Sequence, residues 1–252
     1  MAGANMLLWI IVSGVAMSLI ALVGSLTLVL KQSTLDKILL PLVAFAAGSL
    51  IGGAMFHMIP ASIHVMGNEI SVYVWIVAGF LMFLALEQFL NWHHSHQTEV
   101  EKREPLTYLI LIADGLHNFI GGLFVAASFL IDFRLGVTAW LAAAAHEVPQ
   151  ELGDFAVLLH GGWQKEWALL YNFLSGLTFL VGGLVVYGIS ATVDVSFLVP
   201  FAAGNFLYIG AADLIPEIKK GSSMRTNTIH FIAFAAGLAV LLVMRLWFPH
   251  GH

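Results

Sequence analysis

Cysteine is missing altogether from the 252 residues. Its absence excludes disulfide bridges and thiolate metal sites and leaves the compartment open. Charge is scarce too: Asp, Glu, Lys and Arg together make up 10% of the chain, with a net charge of -5. No basic tract exists to neutralise phosphates, so nucleic-acid binding has nothing to rest on. What fills the sequence is apolar. Hydrophobic residues reach 60% and the mean hydropathy is +0.91, against about 45–50% apolar content in soluble domains. A polytopic membrane protein follows. No Lys or Arg precedes Lys31, and the apolar run 6–30 is too long for a signal-peptide core, so it reads as a retained first span with no targeting segment before it.

Crossing a bilayer takes about 20 helical residues, and eight apolar runs approach or exceed that length. They lie at about 6–30, 38–63, 70–91, 106–131, 135–160, 167–189, 195–217 and 229–248, so residues 1–252 read as one all-α transmembrane domain. With an external N-terminus, the cytoplasmic loops hold Lys31, Lys37, Lys102, Arg103, Lys165, Lys219, Lys220 and Arg225. Only Arg134 and Arg245 fall on the other side. Because positive loops stay inside, this predicts eight spans with both termini extracytoplasmic, and the short loops suit a bacterial inner membrane. The cytoplasmic loop 92–105 carries His93, His94 and His96, which reads equally well as a metal-sampling segment or a solvated loop.

An internal repeat is present. Phe45-Ala46-Ala47-Gly48 recurs as Phe201-Ala202-Ala203-Gly204, and the same offset of 156 places Ile59-Pro60 on Ile215-Pro216 and His57 on Asp213. The charge pattern runs spans 2 and 7 in opposite directions. Spans 1–3 and 6–8 are therefore expected to be inverted repeats, an architecture of secondary transporters.

The polar residues concentrate in spans 4 and 5. His146-Glu147-Val148-Pro149-Gln150-Glu151-Leu152-Gly153-Asp154 puts several ionisable groups inside an apolar run. An acidic side chain at a span's centre carries a penalty of about 2.5–3.5 kcal/mol on insertion scales, so these groups must face protein, water or an ion. Asp114, His117 and Asn118 lie at matching depth in span 4. Helical spacing puts Asp114 and His117 on one face, His146, Gln150 and Asp154 in one row, and Glu147, Glu151 and Asp154 in the adjoining one. The two helices can thus present His117, Asn118, His146, Glu147 and Gln150 around one point. Imidazole, carboxylate and amide donors without thiolate suit Zn, Fe, Mn or Cd. Pro149 is expected to kink span 5 and free the carbonyl of Ala145.

The other polar residues divide. Glu87 and Glu217 read as structural, at the inner ends of their spans, and His57 taken alone is as well explained as a strut between helices. Asp213 is deeper and matches His57 in the repeat, which favours a place on the route. His250 and His252 are terminal and read as inert.

His117-Asn118-Phe119-Ile120-Gly121-Gly122 and the span 5 motif together resemble the paired motifs of the ZIP (Zrt/Irt-like) metal transporters, nearest to a bacterial LIV-1-like branch. The resemblance extends to Gly52-Gly53-Ala54-Met55-Phe56-His57-Met58-Ile59-Pro60 and to Gly204-Asn205-Phe206-Leu207-Tyr208 through Ala212-Asp213-Leu214-Ile215-Pro216-Glu217. It implies an eight-helix, 3+2+3 inverted-repeat fold, often dimeric, that carries zinc or a related divalent ion towards the cytoplasm. The ion is cargo; no cofactor is implied. By motif, His117, His146 and Gln150 would line one metal site and Asn118, Glu147 and Gln150 a second. His57 and Asp213 would flank the route, with Asp114, Glu151 and Asp154 on its inner side.

Three positions depart from the family pattern: Gly121 where an acid is common, Gln150 where a second histidine is common, and Gly53 where Asp is frequent. Fewer charged ligands predict one well-occupied site, with the second weak or absent. Two alternatives remain open at this stage. A zinc-dependent membrane hydrolase of lipid-amidase type would need a nucleophile beside the metal, and no Ser accompanies the span 5 motif. A metal sensor without transport would keep the ligands but not need opposed repeats.

Overall fold

The computed structural model describes residues 2–29, 31–95, 103–160, 162–219 and 223–247, and among these every regular element is helical. α1 (Ala2–Ile20) tightens into a 3-10 segment (Ala21–Leu28). α2 (Gln32–Gly53), a π segment (Ala54–Met58) and α3 (Ile59–Met66) follow without a break, and α4 (Ile70–Ser95) comes next. α5 (Arg103–Ile131), α6 (Phe133–His160) and α7 (Lys165–Ile189) form the middle of the chain. α8 (Leu198–Tyr208), a second π segment (Ile209–Leu214), α9 (Ile215–Ile218) and α10 (Met224–Trp247) complete it.

Among the described residues six stretches are long and apolar enough to cross a bilayer: Asn5–Leu26, Lys37–Met66, Ile70–Gln88, Asp114–Ile131, Lys165–Ile189 and Met224–Trp247. Two of the eight expected spans fall short of that standard. α6, the expected fifth span, is long but carries Arg134, His146, Glu147, Glu151 and Asp154. The expected seventh contributes only the shorter apolar stretch Leu198–Ala212. α6 remains helical on both sides of Pro149 without interruption. The departures from α geometry lie elsewhere, at the two π segments.

Each π segment ends at an Ile-Pro step. Ile59 N–H donates to the carbonyl of Ala54 and Ile215 N–H to that of Gly210, in each case five residues back. Pro60 and Pro216 have no N–H to offer the preceding turn, and a widened turn redistributes the remaining donors. All three pairs, Ala54 with Gly210, Ile59 with Ile215 and Pro60 with Pro216, correspond under the 156-residue repeat.

Close helix contacts repeat the same correspondence. A Cβ at Gly48 in α2 would collide with the carbonyl oxygen of Phe234 in α10, and one at Gly237 with that of Phe45. Likewise a Cβ at Gly204 in α8 would collide with the carbonyl of Ile76 in α4, and one at Gly79 with that of Phe201. Reciprocal glycines let each pair of backbones touch, the usual device where lipid supplies no hydrophobic drive between helices. Tyr208 also donates a short hydrogen bond to Glu87, joining α8 to α4 and giving Glu87 the structural role its position suggested.

The middle helices are tied by side chains. Ser18 Oγ donates to the Gly176 carbonyl (3.2 Å), Trp140 Nε1 to that of Ser13 (3.0 Å), and Thr178 Oγ1 to that of Gly115 (2.6 Å). A single residue, Asp132, separates α5 from α6. Its carboxylate accepts from the backbone N–H of Arg134 (2.9 Å) and of Leu135 (3.0 Å), capping α6 at its start. His117 lies fifteen residues before that turn and His146 fourteen after it. Antiparallel packing therefore brings them to the same depth.

Candidate metal centre

His117, His146 and Glu147 meet where α5 and α6 face one another. The two Nε2 atoms are 3.0 Å apart, and a Glu147 carboxylate oxygen lies 3.6 Å from His146 Nε2 and 3.9 Å from His117 Nε2. The rings cross edge to face, flanked by Phe83 on His117 and Phe206 on His146. His146 and Glu147 are buried; His117 keeps 17% of its side-chain surface exposed. Two nitrogens bound tetrahedrally to one zinc at about 2.0–2.1 Å sit about 3.3 Å apart, so the present spacing is close to that of a chelating pair. His146 Nδ1–H donates a long hydrogen bond to the Ala142 carbonyl (3.4 Å), which turns the lone pair of Nε2 towards His117 and Glu147. Fixing one ring nitrogen through the other is the usual support of a metal-binding imidazole.

A second group lies beside the first. Ligand atoms of Asp114, Glu147 and Glu151 all fall within 4.8 Å of one another, as do those of His117, His146 and Glu147. Glu147 belongs to both. Asp114 is anchored on two sides: Asn118 Nδ2 and Gln150 Nε2 donate to its Oδ1 at 3.0 and 3.2 Å, and Ser175 Oγ donates to its Oδ2 at 2.6 Å. Asn172 Nδ2 donates a short hydrogen bond to Glu151 Oε2. After these bonds, Asn118 Oδ1, Glu147 Oε1, Glu151 Oε1 and Asn172 Oδ1 are buried acceptors with no donor among the described residues. Leaving such oxygens unmatched is expensive, and a cation is the partner their chemistry fits.

Of the residues singled out in the sequence, His117, Asn118, His146, Glu147, Gln150, Asp114 and Glu151 are brought into one continuous group. Asp154 lies one turn beyond Gln150 on α6, half-buried. His57 sits in the first π segment, fully buried, and its Nε2–H donates to the Leu241 carbonyl of α10 at 2.7 Å; it belongs to neither cluster. Asp213 occupies the matching π segment. The side chains of Asp213, Glu217, Pro149, His93 and His94, and the whole of His96, His250 and His252, lie outside the described residues. Sequence reading passed over Asn172 and Ser175 of α7. The signal was a polar stripe, Asn172, Ser175 and Thr178, recurring every three residues on an apolar helix.

The family model for the ZIP zinc transporter matches the chain in two stretches, residues 6–106 and 91–245. The chain belongs to the ZIP zinc transporter family. Similar proteins include the zinc transporter ZIP13 homolog of Drosophila melanogaster, 26% identical over 287 residues, covering 87% of this chain and 81% of that protein. Zinc transporter ZIP13 of Pongo abelii is 31% identical over 225 residues, covering 82% of this chain and 66% of that protein. Metal cation symporter ZIP14 of Bos taurus is 36% identical over 155 residues, covering 58% of this chain and 31% of its own length. The ZIP chain is thus an integral membrane protein whose relatives are transporters rather than enzymes. The hydrolase alternative has no support in them.

Proposed function

We propose that the ZIP chain carries a divalent cation, zinc or a close relative such as iron, manganese or cadmium, across the membrane towards the cytoplasm. The ion is held at His117, His146 and Glu147, with Asn118 and Gln150 completing its surroundings. The observation that carries this reading is the meeting of two imidazole nitrogens and a carboxylate at 3.0–3.9 Å inside the helices. His57 and Asp213 flank the route, and Asp114, Glu151 and Asp154 lie on its inner side.

The same reading takes eight helical rods as membrane-crossing, in a 3+2+3 order with the outer threes inverted. Its support is the 156-residue repeat, the paired π segments and the reciprocal glycine contacts. α6, too polar to qualify alone, crosses with its charges turned towards α5 and α7. The distribution of Lys and Arg supports extracytoplasmic termini, and the short loops and sequence resemblance support a bacterial inner membrane, with two copies of the chain pairing there. Transport proceeds by alternating access between the two repeats.

Metal uptake into proteoliposomes containing the purified chain tests the reading. Saturable uptake by the native protein should fall by more than about tenfold in His117→Ala and in Glu147→Ala, since even supporting residues of metal sites are worth 10–100-fold. Folded native protein that binds zinc yet passes none under any gradient would point to a sensor instead.

A further inference from the structure

We propose that the cleft between α9 and the first turns of α10 is a lipid site, which takes one acidic phospholipid with its phosphate at Lys219 and Asn227 and an acyl chain against Phe231 and Phe234. The site is independent of the histidine cluster; only its leaflet, the cytoplasmic one, follows from the distribution of Lys and Arg.

Shape comes first. A cavity of about 370 Å3 opens between the two helices, and both of its walls run from polar to apolar in the same direction. On α10 the lining residues Asn227, His230, Phe231 and Phe234 recur at helical spacing and share one face, with Phe234 about 10 Å along the axis from Asn227. On the opposite wall Lys219 follows Ile215 and Ile218 at the end of α9. α9 leads into the connection and α10 out of it, so Lys219 and Asn227 lie at the same end. A polar mouth on an apolar groove matches an amphiphile. Water fits poorly there, because each ordered water needs about 2–4 polar partners and the described lining offers three polar side chains in all.

Charge agrees with shape. Residues 217–225 hold Lys219, Lys220 and Arg225 against Glu217 alone, and no acidic side chain lines the cavity among the described residues. Basic pockets between spans on the cytoplasmic side are suited to acidic headgroups. The walls are also fixed. His230 is buried, and its Nδ1–H donates to the Ile218 carbonyl at 3.0 Å, tying the end of α9 to α10. Phe231 and its neighbour Ile232 are exposed, so the groove continues onto the apolar outer surface of α10, where acyl chains already lie.

Native mass spectrometry of the purified full chain in detergent, titrated with phosphatidylglycerol and with phosphatidylcholine of the same acyl chains, tests this. The native chain should bind one phosphatidylglycerol about fivefold or more tightly than phosphatidylcholine, the contribution expected of one basic residue at an acidic headgroup. Lys219→Ala should remove that preference, and Asn227→Trp, which narrows the mouth, should weaken both lipids. Both side chains are exposed, so these changes leave the helix packing untouched. Lys165→Ala alters a base that does not line the cleft and should keep the preference. Glycerol phosphate, which has the headgroup without the chains, should not displace the lipid at equal concentration. The proposal is overturned if the native chain binds the two lipids alike, if Lys219→Ala keeps the full preference, if Lys165→Ala abolishes it as completely, or if glycerol phosphate competes as well as the lipid.

Discussion

His146 and Asp114 sit on facing helices, and each is held by a neighbour that never needs to touch the metal. The Ala142 carbonyl orients the imidazole and Ser175 Oγ fixes one carboxylate oxygen. Supporting bonds of this sort set how much a ligand must reorganise on binding. Ser175→Ala should therefore leave the chain folded and lower divalent-metal affinity about tenfold, measured by titration calorimetry in detergent; unchanged affinity would make the Ser175 bond incidental. Asp194 offers a contrast outside the helices. The Ser196 backbone and side chain hold its carboxyl below the ordinary range. Stability from a lowered carboxyl is present above about pH 4 and lost as the pH falls through the folded value. Nothing from Asp194 should therefore vary between pH 5.5 and 7.5.

Helix pairs carry the next group of consequences. Gly204 has the Ile76 carbonyl where its Cβ would be, whereas nothing lies within 4 Å of a Cβ at Gly188. Gly204→Ala should destabilise by about 1–3 kcal/mol through overpacking. Gly188→Ala should be neutral or stabilising by about 0.4–1 kcal/mol, because alanine restricts the unfolded chain. Thermal unfolding in detergent separates the two, and equal midpoints would mean that the α4–α8 contact is not close. At this level the sequence was readable in part. Nearly equal distances of His117 and His146 from a tight turn could be counted, and helical spacing put Glu147 beside them. The π segments could not be anticipated, since a five-residue hydrogen bond depends on how neighbouring helices press on the chain. Pro149 was expected to disturb α6, yet the irregular turns formed ahead of Pro60 and Pro216. Asn172 and Ser175 were missed because a lone Asn or Ser in a span commonly bonds within its own bundle. Only the fold shows that both face carboxylates.

For the molecule in its membrane, metal occupancy and pH are linked. A histidine binds metal only when neutral, and its ordinary pKa is about 6.5. Zinc binding should be complete above that value and weaken as the pH falls below about 6. Radiometric zinc binding across pH 7.5 to 5.5 checks the direction, and a flat profile would exclude the histidines as ligands. Composition announced an all-helical membrane protein, but it did not show how unevenly the apolar surface is shared. Of the eight expected spans, the seventh falls short in apolar length and the fifth, α6, in apolarity, because it carries the centre itself.

That unevenness bears on how the chain is made. A segment as polar as α6 does not partition into hydrocarbon unaided. It becomes tolerable once Asn172 of α7 donates to Glu151 and His117 of α5 faces Glu147. During synthesis α5 emerges first and α7 only afterwards, so α6 waits near the translocon or the interface until its later partner arrives. Biogenesis is therefore expected to be post-insertional at this point: the helix that holds the ion is the last of the three to take its place.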